Sequence, residues 1–531
     1  MRYMNRSLSE GNLFLYLFLC FFPLFVWTDY SNITNMKMVC FLVLLAGFAV
    51  MVALSFADKK KRVRQTPLEW NAFTPDFFLL GFLAVGLVSG LASPYLGDVN
   101  KDGLNLVFFG AGRHDGWLFL AAYALLFFLA SRFAKFKRAH LQAFAVVVFI
   151  MCLIGIIQQA GINFLNLYPT SVYQGFPNRF FSTIGNADIM GGFLCMATPI
   201  IGVGYVVFRL SKPMQKFFLL AHTLSVYLMM VIKVDMAVVG LAALIVVMTP
   251  LLLRNRLYLK RVLDIGMTIA IGLGLDGFIQ YTYVKTEKAT YTFMKATNMF
   301  WLCLAAFAVL LIARLLVGKF QLNNLSYKVL RFAVVGVEIA AVIGGFVFFR
   351  WFLEEPSQNG LVKDLYELVR GELSLTAGNH RIGIWKHSLM MAKENPILGT
   401  GTGTFAKTFK EFATGTGYSR YANRNLDFAH NEYIHYICTM GFVGGFTYIA
   451  FLLSCLWQAC KTCFKNPVIL VLGSAVLGYC VQVFFCFSVV IAAPFFWLFL
   501  GLMVGEIRAT LVGEKIESAK VSNLEWETAE K

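Results

Sequence analysis

Ala429-His430-Asn431-Glu432-Tyr433, followed by Gly441-Phe442-Val443-Gly444-Gly445, opens a stretch that stays almost wholly apolar to Cys455. A run of this length matches the roughly 20 apolar residues a helix needs to cross a bilayer. A lone histidine thus stands where a long polar loop meets a membrane helix. An interfacial histidine resting at a helix end is the plain reading. A histidine placed there for chemistry is the other, and the surrounding topology decides between them.

Fourteen apolar runs emerge when the same reading is carried along the chain: 11–28, 36–57, 76–93, 116–131, 141–158, 185–208, 214–232, 236–253, 261–279, 298–313, 330–353, 431–455, 468–486 and 489–505. Lipid offers no partner to backbone N–H and C=O groups, so each run is predicted to be helical. Hydrophobic residues make up 58% of the 531 and charged residues only 14%, too apolar a mixture for a soluble core to absorb. Mean hydropathy of +0.68 agrees. The fold class expected is an all-α polytopic membrane protein with 12–14 transmembrane helices and one long external loop.

The net charge of +17 suggests a polyanion partner, but its distribution argues against nucleic acid. With the N-terminus inside, both termini and the loop stretches Lys59–Arg64, Arg132–Arg138, Arg209–Lys216, Arg254–Arg261, Arg314–Arg331 and Lys461–Lys465 all fall on the cytoplasmic side. Of 46 Lys and Arg, 28 lie on that side and 18 outside, ten of the latter between Arg350 and Ala429. Long loops translocate regardless of charge, so the short loops set the orientation. Both termini are predicted cytoplasmic and the long loop external. The organisation expected is helices over 1–353, an external loop over 354–429, three more helices over 430–507 and a cytoplasmic tail over 508–531. The eleven cysteines fall mostly within spans, which predicts neither a disulfide framework nor a structural zinc. The first run has no small-residue cleavage motif and reads as an anchor helix.

The external loop is structured by composition. Leu361, Leu365, Leu368 and Val369 recur at helical spacing opposite Lys363, Asp364, Glu367 and Arg370, predicting an amphipathic helix over 359–373 that lies on the membrane surface. A second helix is predicted over 380–394, ended by Asn395-Pro396. Gly399-Thr400-Gly401-Thr402-Gly403-Thr404 then follows. It has no Gly-Lys-Ser/Thr ending and follows no strand, so a tight, close-packed turn is expected rather than a phosphate loop.

On this topology several unusual groups share the external side: Arg113, His114 and Asp115, then Arg179, Lys233, Asp235, Arg381 and His430. Arginine forks pair bidentately with phosphate oxygens, and a histidine titrating near neutrality takes a proton from a hydroxyl. Together they suit a donor carrying pyrophosphate, with no metal required. Bland roles stand beside these. Arg179 serves equally as a headgroup anchor and Arg381 as a solvated helix charge, while Arg113 and Asp115 are expected to pair and cap the fourth span. His222 and Glu338 fall mid-span, where ionisable groups are costly, and receive no role.

The ordered set Arg381-Ile382-Gly383-Ile384-Trp385, Asn395 through Phe405, Ala429 through Tyr433 and Gly441-Phe442-Val443-Gly444 resembles the O-antigen ligase family of bacterial membrane glycosyltransferases. Arg179 to Asn186 resembles that family's segment before a mid-chain span, and Gly112 to Gly116 resembles a segment of Gram-positive members. The resemblance implies a GT-C-type fold with no cofactor. It implies an undecaprenyl-pyrophosphate-linked glycan donor and transfer to an acceptor hydroxyl at the outer face of the cytoplasmic membrane. Carried over residue by residue, His430 is the acceptor-activating base and Arg381 the pyrophosphate contact. Arg179 assists donor binding and Asn431 orients the site. Family members commonly carry Thr-x-Ser-Arg after the Arg179-like segment. Here Ile232-Lys233-Val234-Asp235-Met236 stands instead, so Lys233 supplies a point charge where an arginine fork is usual. Fourteen runs also exceed the family's usual twelve.

The partners implied are that donor, membrane lipids and an acceptor that is a glycan, a lipid, a wall polymer or a protein. A polymerase of lipid-linked repeat units would use the same chemistry. A transporter of a lipid-linked or anionic solute is the rival from another class, motivated by His222 and Glu338, and an inactive scaffold is the third.

Overall fold

The computed structural model describes residues 8–57, 73–168, 182–279, 296–317, 319, 324–354, 356, 360–416 and 426–529. Among these residues the secondary structure is helical without strands. Eleven helices are long and apolar enough to cross a membrane, and three shorter apolar ones, Glu10–Phe21, Trp117–Phe133 and Val468–Val483, bring the set to fourteen. Every apolar run of the sequence is therefore a helix, and the protein is a polytopic membrane protein.

Ala187–Val207 is the central helix, with its apolar window entirely buried, whereas Ser326–Phe352 has none of its window buried. Glycines let the central helix pack closely: a Cβ at Gly478 would meet the Cys195 carbonyl oxygen at 2.1 Å. Basic side chains close helix ends where carbonyls lack helical partners. Arg261 donates to the carbonyls of Tyr205, Val206 and Phe208, and Lys37 to those of Phe22 and Pro23. Near the ends of three helices Asp76 accepts from Arg132 at 3.0 Å and from Arg508. Mid-span His222 is satisfied by the Thr268 hydroxyl at 2.8 Å, which gives it a structural role. Glu338 lies on the unburied Ser326–Phe352 helix.

Glu432–Thr462 departs most from expectation. It is not one continuous span, because Gly441 adopts φ +69° and ψ 178° and breaks it in two. The Tyr448 hydroxyl reaches Glu432 Oε1 at 2.6 Å, although sixteen positions separate them. A straight helix would hold them about 24 Å apart. Residues 432–440 therefore fold back along 442–462. A Cβ at Gly445 would lie 2.3 Å from an Ile437 side-chain carbon, and the two halves are that close. Residues 442–462 alone are long enough, at roughly 30 Å, to span the hydrocarbon layer.

Breaking a helix strands backbone groups, and the glycine run repairs the break. Thr400 N donates to the Cys438 carbonyl at 3.3 Å, Gly401 N to Thr439 at 2.8 Å, and Phe442 N to Pro396 at 2.8 Å. Ser89 adds its hydroxyl to the carbonyls of Leu398 and Thr439. The run is thus the close-packed turn expected, and its partner is the hinge. Glycine is required on both sides of the crossing. A Cβ at Gly441 would meet Ile397 O at 2.1 Å, and one at Gly399 would meet Gly441 N at 2.5 Å.

The loop helices expected over 359–373 and 380–394 are Leu361–Arg370 and Arg381–Ala392. A third, Phe405–Gly415, follows the glycine turn. All eleven cysteines are free, including Cys460 and Cys463, the one Cys-x-x-Cys spacing in the chain.

Gly441→Ala combines a left-handed backbone with a backbone clash and is expected to lose about 3 kcal/mol or more. Gly336→Ala, whose Cβ would meet nothing within 4 Å, serves as the tolerated comparison. Apparent melting temperatures in detergent should fall clearly for the first and not for the second.

Candidate active site

The folded-back helix places His430 just before its N-terminus. Asn431 is the N-cap: its side chain accepts from Ile434 N at 3.0 Å, and the residue is 2% exposed. It is committed to holding the helix start. His430 sits at φ +53°, a left-handed conformation that non-glycine residues adopt rarely and often at functional sites. Its Nδ1 lies 3.0 Å from the Phe428 carbonyl oxygen. A carbonyl only accepts, so Nδ1 carries the proton and Nε2 keeps its lone pair. The Trp385 indole donates to the His430 carbonyl at 3.2 Å, and the His430 ring meets Phe487 edge-on at 5.3 Å.

Arg381 is the first residue of Arg381–Ala392, the helix that supplies Trp385. Gly378, Asn379 and His380 before it all have positive φ, so a strained turn presents the guanidinium. Arg381 Nη1 donates to Gly378 O at 3.2 Å, while Nε has no hydrogen-bond partner among the described residues. The helix is anchored to the folded-back segment through Cys438 Sγ, 3.2 Å from Ser388 O.

Arg113 corrects an expectation. It does not pair with Asp115 but with Asp427, at 2.9 Å, and its guanidinium lies over the rings of Phe428 and Phe487 at 5.9 and 5.2 Å. Positive φ at Gly110, Gly112 and His114 winds this turn tightly, and its neighbouring side chains part company. Asp115 instead faces His435, 3.9 Å from Nε2. Gly116, not either charged residue, is the N-cap of Trp117–Phe133.

Burial, and next the positive charge of Arg381, hold the His430 imidazole below the ordinary histidine range. Arg113 pushes the same way, while the Phe428 carbonyl and Asp188 oppose. The net result is a neutral imidazole near pH 7 that feels the charge of two arginines. The structure therefore brings together His430, Arg381, Arg113 and Asn431.

Lys233 stands apart. It is exposed at φ +50° in the turn after Lys212–Val231. The neighbouring Val234 packs at Gly191, one turn from Asp188 in the central helix. Lys233 is not among the charges that bear on His430. Arg179 lies outside the described residues. Asp188, Phe428 and Phe487 are site neighbours that no sequence pattern singles out, whereas Trp385 closes the Arg381–Trp385 motif.

Asp115 provides a check on this electrostatic environment. Burial pushes its carboxyl up to about 6, above the ordinary 3.8. The folded state thus binds this proton more tightly, so its contribution to stability is present at low pH and is lost as pH rises through about 4 to 6. Asp115→Asn should flatten that part of a melting-temperature profile and match or exceed the wild type at pH 8.

Residues 293–449 match the model of the O-antigen ligase family. No curated protein matches the chain. The matched stretch takes in Ser326–Phe352, both predicted loop helices, the glycine turn, His430 and the hinge at Gly441. The match takes in His430, Arg381, Asn431 and Asp427 and leaves Arg113 and Phe487 outside it, and it supports assigning this region to the O-antigen ligase family, membrane glycosyltransferases of the ligase or polymerase type.

Proposed function

We propose that this protein transfers a glycan from an undecaprenyl-pyrophosphate carrier to an acceptor hydroxyl at the outer face of the cytoplasmic membrane, without a metal. The observation that carries the reading is the His430 imidazole, with Nδ1 turned to a carbonyl, Nε2 without a hydrogen-bond partner among the described residues, and Arg381 and Arg113 bearing on it electrostatically. In the reaction the acceptor oxygen attacks the anomeric carbon and gives its proton to Nε2. The bond from that carbon to the pyrophosphate oxygen breaks, and the leaving group departs as an anion.

Arg381, whose Nε is unengaged, is the principal contact for that anion. A planar fork stabilises two oxygens at once. Arg113 is half neutralised by Asp427 and acts as a secondary contact. Asn431 positions His430 through its cap. Lys233 and Arg179 are assigned to donor binding by the resemblance, Lys233 from the turn beside the central helix. Both termini are assigned to the cytoplasm by the charge pattern.

The test is release of free undecaprenyl pyrophosphate by purified protein given a lipid-linked oligosaccharide and an acceptor, in EDTA. His430→Ala should lose about 100-fold or more while remaining folded, the usual scale for a general base. Full activity in that variant would remove the assignment. The pH profile gives a second reading. The base must be neutral and its proton affinity is depressed, so the rate should stay level above the ordinary histidine value of about 6.5 and fall only below it. A half-maximal rate above pH 7 would contradict the environment described.

A further inference from the structure

Glu432 has no part in the chemistry just proposed, yet it lies two residues from His430 and is 2% exposed. Its Oε1 accepts the Tyr448 hydroxyl across the hinge at 2.6 Å. The hydroxyls of Ser488 and Tyr436 stand beside the same carboxyl group. The Tyr436 ring meets Tyr448 edge-on at 4.7 Å, and Tyr433 lies 6.2 Å from it. The Tyr448 hydroxyl donates to one oxygen of this buried carboxyl, and the other, Oε2, has no hydrogen-bond partner among the described residues.

Behind Glu432 is a small cavity lined by Asp115, Tyr123, Glu432, His435 and Ser488. His435 Nε2 stands 3.9 Å from Asp115 Oδ2, and His435 Nδ1 has no hydrogen-bond partner among the described residues. Phe428 and Phe487 stack at 4.7 Å over this cavity, and His430 rests on the Phe487 edge. The roof of the cavity is thus the floor under His430.

We infer that Glu432 and Tyr448 form a clamp that closes the folded-back helix on its span and thereby fixes the position of His430. Glu432 is a positioning residue that acts through Asn431 and the helix start. The catalytic half of this inference rests on the glycan-transfer reading, while the clamp itself is a property of the fold.

Amide hydrogen exchange on the purified full chain, with wild type beside Glu432→Ala, Glu432→Gln and Tyr448→Phe, tests the clamp without reference to activity. Amides in 434–440 should exchange about tenfold faster in Glu432→Ala and Tyr448→Phe, with Glu432→Gln recovering most of the protection and 468–483 unchanged. In the transfer assay the same two variants should lower kcat about tenfold with donor KM unchanged. Their double variant should be no worse than either single one. Unaltered exchange in both variants would overturn the clamp. Faster exchange with wild-type kcat would overturn the positioning role. If wild type transfers nothing, the glycan-transfer reading falls and exchange alone decides the clamp.

Discussion

The backbone break at Gly441 is the constraint on which the rest of this site depends. In a membrane helix, stranded carbonyls and N–H groups must find partners within the protein. Here the carbonyls of Cys438 and Thr439 and the N–H of Phe442 are taken up by residues 396–401. That repair ties the long loop to the hinge. Because the helix Arg381–Ala392 leads directly into the repairing turn, the guanidinium of Arg381 and the imidazole of His430 are fixed by one connected piece of backbone. The hinge also determines depth. It sends residues 432–440 back along the span, so that His430 neighbours the level of Tyr448 and not the tip of the helix.

Two arginines near one histidine play unequal parts, and the difference lies in their neutralisation. Arg113 is engaged by Asp427 and stacked on two rings, which makes it as much a support for Phe428 and Phe487 as a charge. Arg381 leaves Nε unengaged, and it is the first charge to act on His430 after burial itself. A cation beside a histidine favours the neutral ring, and the same cation would favour a departing anion. One residue thus prepares the base and receives the leaving group in the proposed reaction.

Much of this was legible in the sequence, for physical reasons that also mark where legibility ends. Membrane spans announce themselves because lipid demands a long apolar run, and all fourteen runs are helices. The amphipathic period of residues 361–370 and the Asn395-Pro396 stop are local signals, and both loop helices lie where they predict. The hinge was hidden because Gly441 in an apolar run reads as an ordinary small residue of a membrane helix. Only the backbone of residues 396–401, some forty positions away in sequence, gives it a conformation. Phe405–Gly415 was masked by the glycine-threonine run before it. The expected pairing of Arg113 with Asp115 rested on closeness in sequence, whereas three positive-φ residues in that turn send Arg113 to Asp427, more than 300 positions distant. Glu432 lies within the Ala429–Tyr433 motif, but its partner Tyr448 is a neighbour only because the helix folds.

A photoreactive lipid-pyrophosphate analogue of the proposed donor, cross-linked to the purified chain and mapped by mass spectrometry, would test the central claim most directly. The account predicts labelling of peptides that contain Arg381–Trp385 and Phe428–Tyr433, suppressed by excess unlabelled donor. Competed labelling confined to the 231–236 turn, with neither of those peptides marked, would contradict it.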